Sequence, residues 1–215
     1  MAQLVQPLET RPALSREDFV VGLGNAEAVK FIDSYPDWPA PVAALHGPSG
    51  SGKSHLAGAW ASRANATILE ASALDQSALQ NPSAAVVIEN VDAQPSDSTR
   101  DAVLFALFER GSTILLTGRS EPSQWQASIP DLISRYRAIL SFALWAPDDA
   151  LLEAIARKLF ADKQVTVPDA VIAQMVCSLE RSPDAIHHFV ARADAKALAE
   201  KRPITTALIR EILQG

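Results

Sequence analysis

Cysteine is nearly absent from this chain. Cys177 is the single one among 215 residues, which excludes a disulfide-stapled scaffold and a cysteine-based zinc site and fits a reducing compartment. Long apolar runs are missing too. The longest charge-free stretch, residues 38–52, is interrupted by Pro39, Pro41, His46, Gly47 and Pro48, so it cannot cross a bilayer. The opening Met1-Ala2-Gln3-Leu4-Val5-Gln6-Pro7-Leu8 has neither the basic region nor the apolar stretch of a secretory signal. We therefore expect a cytoplasmic protein with no membrane partner.

Dense basic runs are the third absence. Lys and Arg number 19 against 25 Asp and Glu, a net charge of −6, and no segment is rich enough in cations to follow a phosphate backbone. Duplex binding draws most of its non-specific affinity from such cations, so strong direct DNA binding is not expected. What is present is ordinary globular material. Hydrophobic residues at 48% and charged residues at 20% exclude wholesale disorder and a collagen-like chain. A chain this long can bury a core and hold one large domain, or a core with a small satellite.

Residues 1–15 contain Pro7 and Pro12, show no periodicity and read as an exposed tail. Residues 16–146 alternate short apolar runs with helical patterns. The runs are Val42-Ala43-Ala44-Leu45, Ala66-Thr67-Ile68-Leu69, Ala85-Val86-Val87-Ile88, Ser112-Thr113-Ile114-Leu115-Leu116 and Ala138-Ile139-Leu140-Ser141-Phe142. Runs of this kind suit strands covered on both faces, and the alternation predicts a parallel sheet flanked by helices. Residues 53–63 and 97–110 look helical, the second closed by Arg110 and Gly111. Residues 147–215 change character: Pro147-Asp148-Asp149 is a helix start, and Pro168, Ser182-Pro183 and Pro203 introduce three more helical patterns. The expected fold class is α/β, a parallel-sheet core followed by an all-helical domain.

The chemistry concentrates in Gly47-Pro48-Ser49-Gly50-Ser51-Gly52-Lys53-Ser54, which matches G-x-x-x-x-G-K-[ST] between an apolar run and a helical pattern. Glycines let successive N–H groups turn inward toward phosphates, and the helix start adds its positive end. Lys53 would reach the β- and γ-phosphates and the Ser54 hydroxyl would hold Mg²⁺. Ala85-Val86-Val87-Ile88-Glu89-Asn90-Val91-Asp92 offers Glu89 as a second Mg²⁺ residue at the carboxyl end of a buried strand. Asn90 stands where a fast ATPase would place an acid, and an amide cannot accept a proton at neutral pH. Tight binding with weak or absent intrinsic hydrolysis follows. His187-His188 has no third ligand nearby, and Trp38, Trp60, Trp125 and Trp145 read as core or interface packing. Cys177 reads as a core residue of the helical domain. Arg119 receives no role.

In these motifs the chain resembles AAA+ proteins of the P-loop class, and among them the DnaA group. Asp18-Phe19-Val20-Val21-Gly22 with Asn25 is similar to the stretch that flanks adenine in that group, which implies Val20 and Val21 as base contacts. Thr117 stands at the sensor-1 position, and Arg181, in Leu179-Glu180-Arg181, where the lid offers its sensor-2 arginine. Pro130-Asp131-Leu132-Ile133-Ser134-Arg135-Tyr136 resembles the box whose arginine acts as a finger on a neighbour's nucleotide, here Arg135. A core and lid ending at Gly215, without a helix-turn-helix reader, resembles the Hda family of DnaA inactivators. Gln3-Leu4-Val5-Gln6-Pro7-Leu8 resembles that family's sliding-clamp peptide, with Gln3 in a polar recess, Leu4 and Leu8 filling an apolar cleft, and Pro7 limiting the ordering entropy. Gln6 departs from the family's leucine.

The resemblance implies a protein that binds ADP or ATP, docks on DNA-loaded clamps and promotes hydrolysis by DnaA. A homo-oligomer is compatible with it. Two other classes share the loop. A helicase loader or other DNA-remodelling adaptor would hold single-stranded DNA, and a small-molecule kinase would insert a short lid inside the core.

Overall fold

The computed structural model describes residues 15–80 and 84–214. Five short strands, β1 (Val42–His46), β2 (Thr67–Glu70), β3 (Ala85–Glu89), β4 (Thr113–Gly118) and β5 (Leu140–Ala143), form one parallel sheet in the order β2-β3-β4-β1-β5. Alternate residues of each strand enter opposite cores, which is why the runs are apolar throughout rather than alternating. On one face Ala43, Leu45, Val87 and Leu115 pack with α1 (Ala26–Asp33) and α2 (Lys53–Ala64). On the other, Ala44, Val86, Ile88, Ile114 and Leu116 pack with α3 (Ser98–Glu109) and α4 (Pro130–Ala138). Strand β1 lies between the central strand β4 and the edge strand β5, so chain connections diverge beside its carboxyl end, and crevices at such switch points are where α/β sheets bind ligands.

Four helices follow: α5 (Asp149–Asp162), α6 (Asp169–Ser178), α7 (Pro183–Glu200) and α8 (Thr206–Gln214). They enclose a core of their own, including Leu152, Phe160, Met175, Ile186, Phe189 and Leu208. Side chains cap the expected starts: Asp97 accepts from the Arg100 N–H, Asp148 from Leu151 and Ser182 from Ala185. Among the described residues no helix is long and apolar enough to cross a membrane.

Three local expectations are corrected. The fifth apolar run is not all strand, because Ala138 is the last residue of α4 and β5 begins at Leu140. Pro203 does not start a helix; α8 begins at Thr206. Cys177 is exposed, being on the face of α6 turned away from the core built by Val171, Ile172, Met175 and Val176.

Candidate functional site

The loop after β1 is built around Lys53, the first residue of α2. Its backbone demands glycine at Gly47, where φ is +148° and a Cβ would come within 2.0 Å of the Leu144 carbonyl oxygen. The Gly47 N–H donates to Gly118 O at 3.2 Å, tying the loop to the end of β4. Lys53 is buried, and its ammonium donates to Gly47 O at 2.8 Å and Pro48 O at 2.7 Å. Burial pushes its pKa down, Asp92 and Glu89 oppose that shift, and Arg119 adds to it. Pro48, Ser49 and Ser54 are exposed, Gly50 and Gly52 are half-buried, and the Ser51 side chain is covered. The loop thus keeps one charge folded onto its own carbonyls and presents its outer residues to solvent.

Two strand ends supply the remaining polar groups. Glu89, the last residue of β3, is buried and acts electrostatically on Lys53. Asn90 has φ +60°; its N–H donates to Thr117 Oγ1 at 3.1 Å and its side-chain amide donates to Glu70 Oε2 at 3.0 Å. Thr117, buried in β4, also accepts from Val91 N–H at 2.9 Å through its carbonyl, so it clamps the turn that follows Glu89. The donor set fits a hard cation. One hydroxyl, one carboxylate and phosphate oxygens with water are how Mg²⁺ is ordinarily held, rather than by a protein cage.

Asp92 is a site residue that the sequence reading left without a role. Burial alone would raise its pKa, but hydrogen bonds from Ser120 and Arg119 outweigh that and hold the carboxylate below its usual range. Its partners are 27 and 28 residues away, so no local pattern announces them.

The segment 15–25 runs between this loop and the helical bundle. Phe19 is buried, meets His55 edge-on at 5.1 Å, and lies where a Cβ on Gly52 would come within 3.0 Å of it. Asn25 is buried and pins the next turn: its Oδ1 accepts from Gly22 N–H at 2.8 Å and its Nδ2 donates to Val20 O at 3.1 Å. Val20 packs on the bundle core, while Val21 is 50% exposed. From the bundle, Ser182 touches the loop directly, since a Cβ on Gly50 would be 2.9 Å from Ser182 Cβ. Arg181 is next to that contact but is exposed and ion-paired with Asp149 at 2.5 Å. Lys158 of α5 binds Asp18 at 2.8 Å, a second tie between bundle and segment.

Arg135 is elsewhere. It lies on α4, in the layer opposite α2, with its guanidinium 4.9 Å over the Phe105 ring and ion-paired with Glu109. It therefore takes no part in this chain's own phosphate loop. Trp145 is 67% exposed and is not core, unlike Trp60 and Trp125. Gln3, Leu4, Pro7 and Leu8 lie outside the described residues.

No protein-family model matches the chain, and no curated relative is similar in sequence. Solved structures are similar in fold. Domain III of the Thermotoga maritima replication initiation protein DnaA superposes with a TM-score of 0.76 at 17% identity, over 94% of this chain and 96% of that one. AMPPCP-bound DnaA from Aquifex aeolicus gives 0.74 at 16% identity, over 86% and 66%. A Thermotoga maritima RuvB variant gives 0.73 at 15%, over 94% and 71%. The chain shares its fold with DnaA domain III and RuvB.

Proposed function

We propose that this protein is an adenine-nucleotide-binding regulator of replication initiation. It holds ADP or ATP with Mg²⁺ between the phosphate loop and the helical bundle, which serves as a lid. It docks on the DNA polymerase sliding clamp through Gln3, Leu4, Pro7 and Leu8, and stimulates ATP hydrolysis by DnaA with Arg135 as a finger in trans. The observation that carries the reading is the buried Lys53 ammonium on the carbonyls of Gly47 and Pro48, in a loop that Ser182 of the bundle also touches.

A bound nucleotide supplies anionic phosphate oxygens and a base for the surrounding segments to register. Lys53 exchanges loop carbonyls for those oxygens, Ser54 and Glu89 take Mg²⁺ between them, and Thr117 fixes the turn carrying Asn90. Because Asn90 cannot act as a base and is held by Glu70, this chain turns over slowly. The partner's hydrolysis instead depends on Arg135. Its ion pair with Glu109 is half-exposed, and such pairs are worth about 0–1 kcal/mol, so a neighbour's phosphate displaces Glu109 at little cost. A finger guanidinium is worth roughly 10³ to 10⁵ in phosphoryl-transfer rate.

DnaA hydrolysis measured with DNA-loaded clamp tests this. Arg135→Ala should remove stimulation with nucleotide affinity intact, and deleting residues 1–10 should remove clamp binding. Unchanged stimulation by both proteins would overturn the reading.

A further inference from the structure

The free edge of the sheet carries a hollow that the proposed function does not use. β2 is an edge strand, and among the described residues no strand, turn or loop backbone hydrogen-bonds to its outer side. Such an edge leaves N–H and C=O groups unpaired and can template another extended chain. After β2 the chain folds back through two short 3₁₀ turns, Ala71–Ala73 and Gln76–Leu79. Between these turns and the α3 side of the sheet lies a hollow of about 270 Å³. Its floor is apolar: Leu74, Val86 and Leu107 are buried and Leu69 is half-buried. Its charged residues are both acidic, Glu70 and Asp75, and none of the described cations lines it. Ser77 donates to Asp75 Oδ1 from its hydroxyl at 2.5 Å and its N–H at 2.8 Å, which holds that carboxyl below its usual range and keeps it ionised at neutral pH. Glu70 Oε2 accepts from Asn90 Nδ2 at 3.0 Å, which orients the second carboxylate at the strand end. Arg110 donates to the Leu79 carbonyl at 2.6 Å and does not line the hollow.

Each of these properties removes a class of occupant. The volume is below the roughly 300–1,000 Å³ of pockets that enclose a whole small ligand, but it admits a side chain. Two carboxylates repel phosphates, so a nucleic-acid strand is disfavoured. They disfavour a second copy of this chain as well, because its net charge is −6. An extended peptide with basic residues satisfies all of them. Its backbone pairs with β2, one apolar side chain enters the hollow, and cations answer Glu70 and Asp75. Alternate residues of a strand share a face, so those cations belong two positions away from the apolar residue.

We propose that β2 and the hollow beneath it form a docking site for an extended segment of a partner protein, in which an apolar residue is flanked at a spacing of two by Lys or Arg. The site does not depend on the nucleotide-binding reading above. The experiment is fluorescence anisotropy on the full chain with a labelled, end-capped peptide Thr-Lys-Thr-Leu-Thr-Lys-Thr. Saturable binding that weakens as salt rises is the expected result. Replacing the peptide's Leu by Ser should weaken binding about tenfold or more, the worth of one buried apolar side chain. Replacing both Lys by Glu should abolish it. On the protein, Ala73→Trp should block the hollow and remove binding while the melting temperature holds, because Ala73 lines the hollow and is exposed. Asp75→Lys, which reverses a rim charge, should weaken binding about threefold or more. No binding by wild type overturns the proposal, as does equal binding of the Ser or Glu peptide. Full binding by folded Ala73→Trp, or by Asp75→Lys, also overturns it. Displacement of the peptide by single-stranded oligothymidylate would instead assign the edge to nucleic acid, and a wild-type dimer in sedimentation that Ala73→Trp dissociates would assign it to a second copy; either result overturns the proposal.

Discussion

Removing the Asp101 carboxylate should be among the most damaging single changes in this protein. The side chains of Arg100 and Asp101 are 5% and 0% exposed. Asp101 Oδ1 accepts from Arg100 Nε at 3.1 Å and Nη2 at 2.9 Å, and Oδ2 accepts from Ser128 N–H at 2.6 Å and Oγ at 2.9 Å. Arg100 Nη1 donates to Val91 O and Gln94 O, each at 3.3 Å. The pair thus joins the turn after β3 to the loop that leads into α4. Asp101→Ala strands a buried guanidinium, which costs about 3–5 kcal/mol. Ser128 is exposed, so water can replace its lost acceptor and that part of the cost is small. In a chain of 215 residues each kcal/mol moves the melting midpoint by about 2–4 °C, so the fall should be roughly 6–20 °C. The double change Arg100→Met, Asp101→Leu should recover most of it, because well-packed apolar replacements of buried pairs are often neutral. Thermal melts followed by circular dichroism, arranged as a double-mutant cycle, measure both quantities. A midpoint for Asp101→Ala within about 2 °C of wild type, or a double variant as unstable as the sum of the singles, would refute the reasoning.

Two further outcomes follow from the same geometry. Gly47→Ala should abolish nucleotide binding, since its Cβ meets backbone at 2.0 Å, whereas Gly58→Ala, in α2 with nothing within 4 Å, should stabilise by about 0.5–1 kcal/mol; paired melts and titrations separate them. Lys158 and Ser15 hold the Asp18 carboxyl at about 2 rather than its ordinary 3.8, so its contribution is complete above pH 3.8 and disappears as pH falls through about 2. Because the pair is solvent-exposed, Asp18→Asn should flatten the acid limb of the stability curve only slightly in urea melts taken between these limits.

The legible parts of this molecule were those encoded locally. A glycine-rich turn ending in Lys53-Ser54, an apolar run ending at Glu89, and caps at Asp97, Asp148 and Ser182 each sit within one short window, where spacing and residue type are enough. Boundaries blurred where one element hands directly to the next. Ala138-Ile139 is as apolar as a strand, and only packing assigns Ala138 to α4. Exposure was harder still: Cys177 and Trp145 are residue types that are usually covered, and their outward positions depend on the faces their neighbours use. The polar scaffolding was invisible. Asp92 with Ser120, and Asp101 with Ser128, join residues about 27 apart through side-chain-to-backbone bonds that leave no periodic trace in sequence.

Calorimetry of the intact chain with Mg²⁺ and ADP, with Lys53→Ala as its control, reaches the root of the account. Saturable binding in wild type that is lost in the variant, with the variant still folded by circular dichroism, is the predicted result. Equal binding by the two, or no heat from wild type, would contradict it.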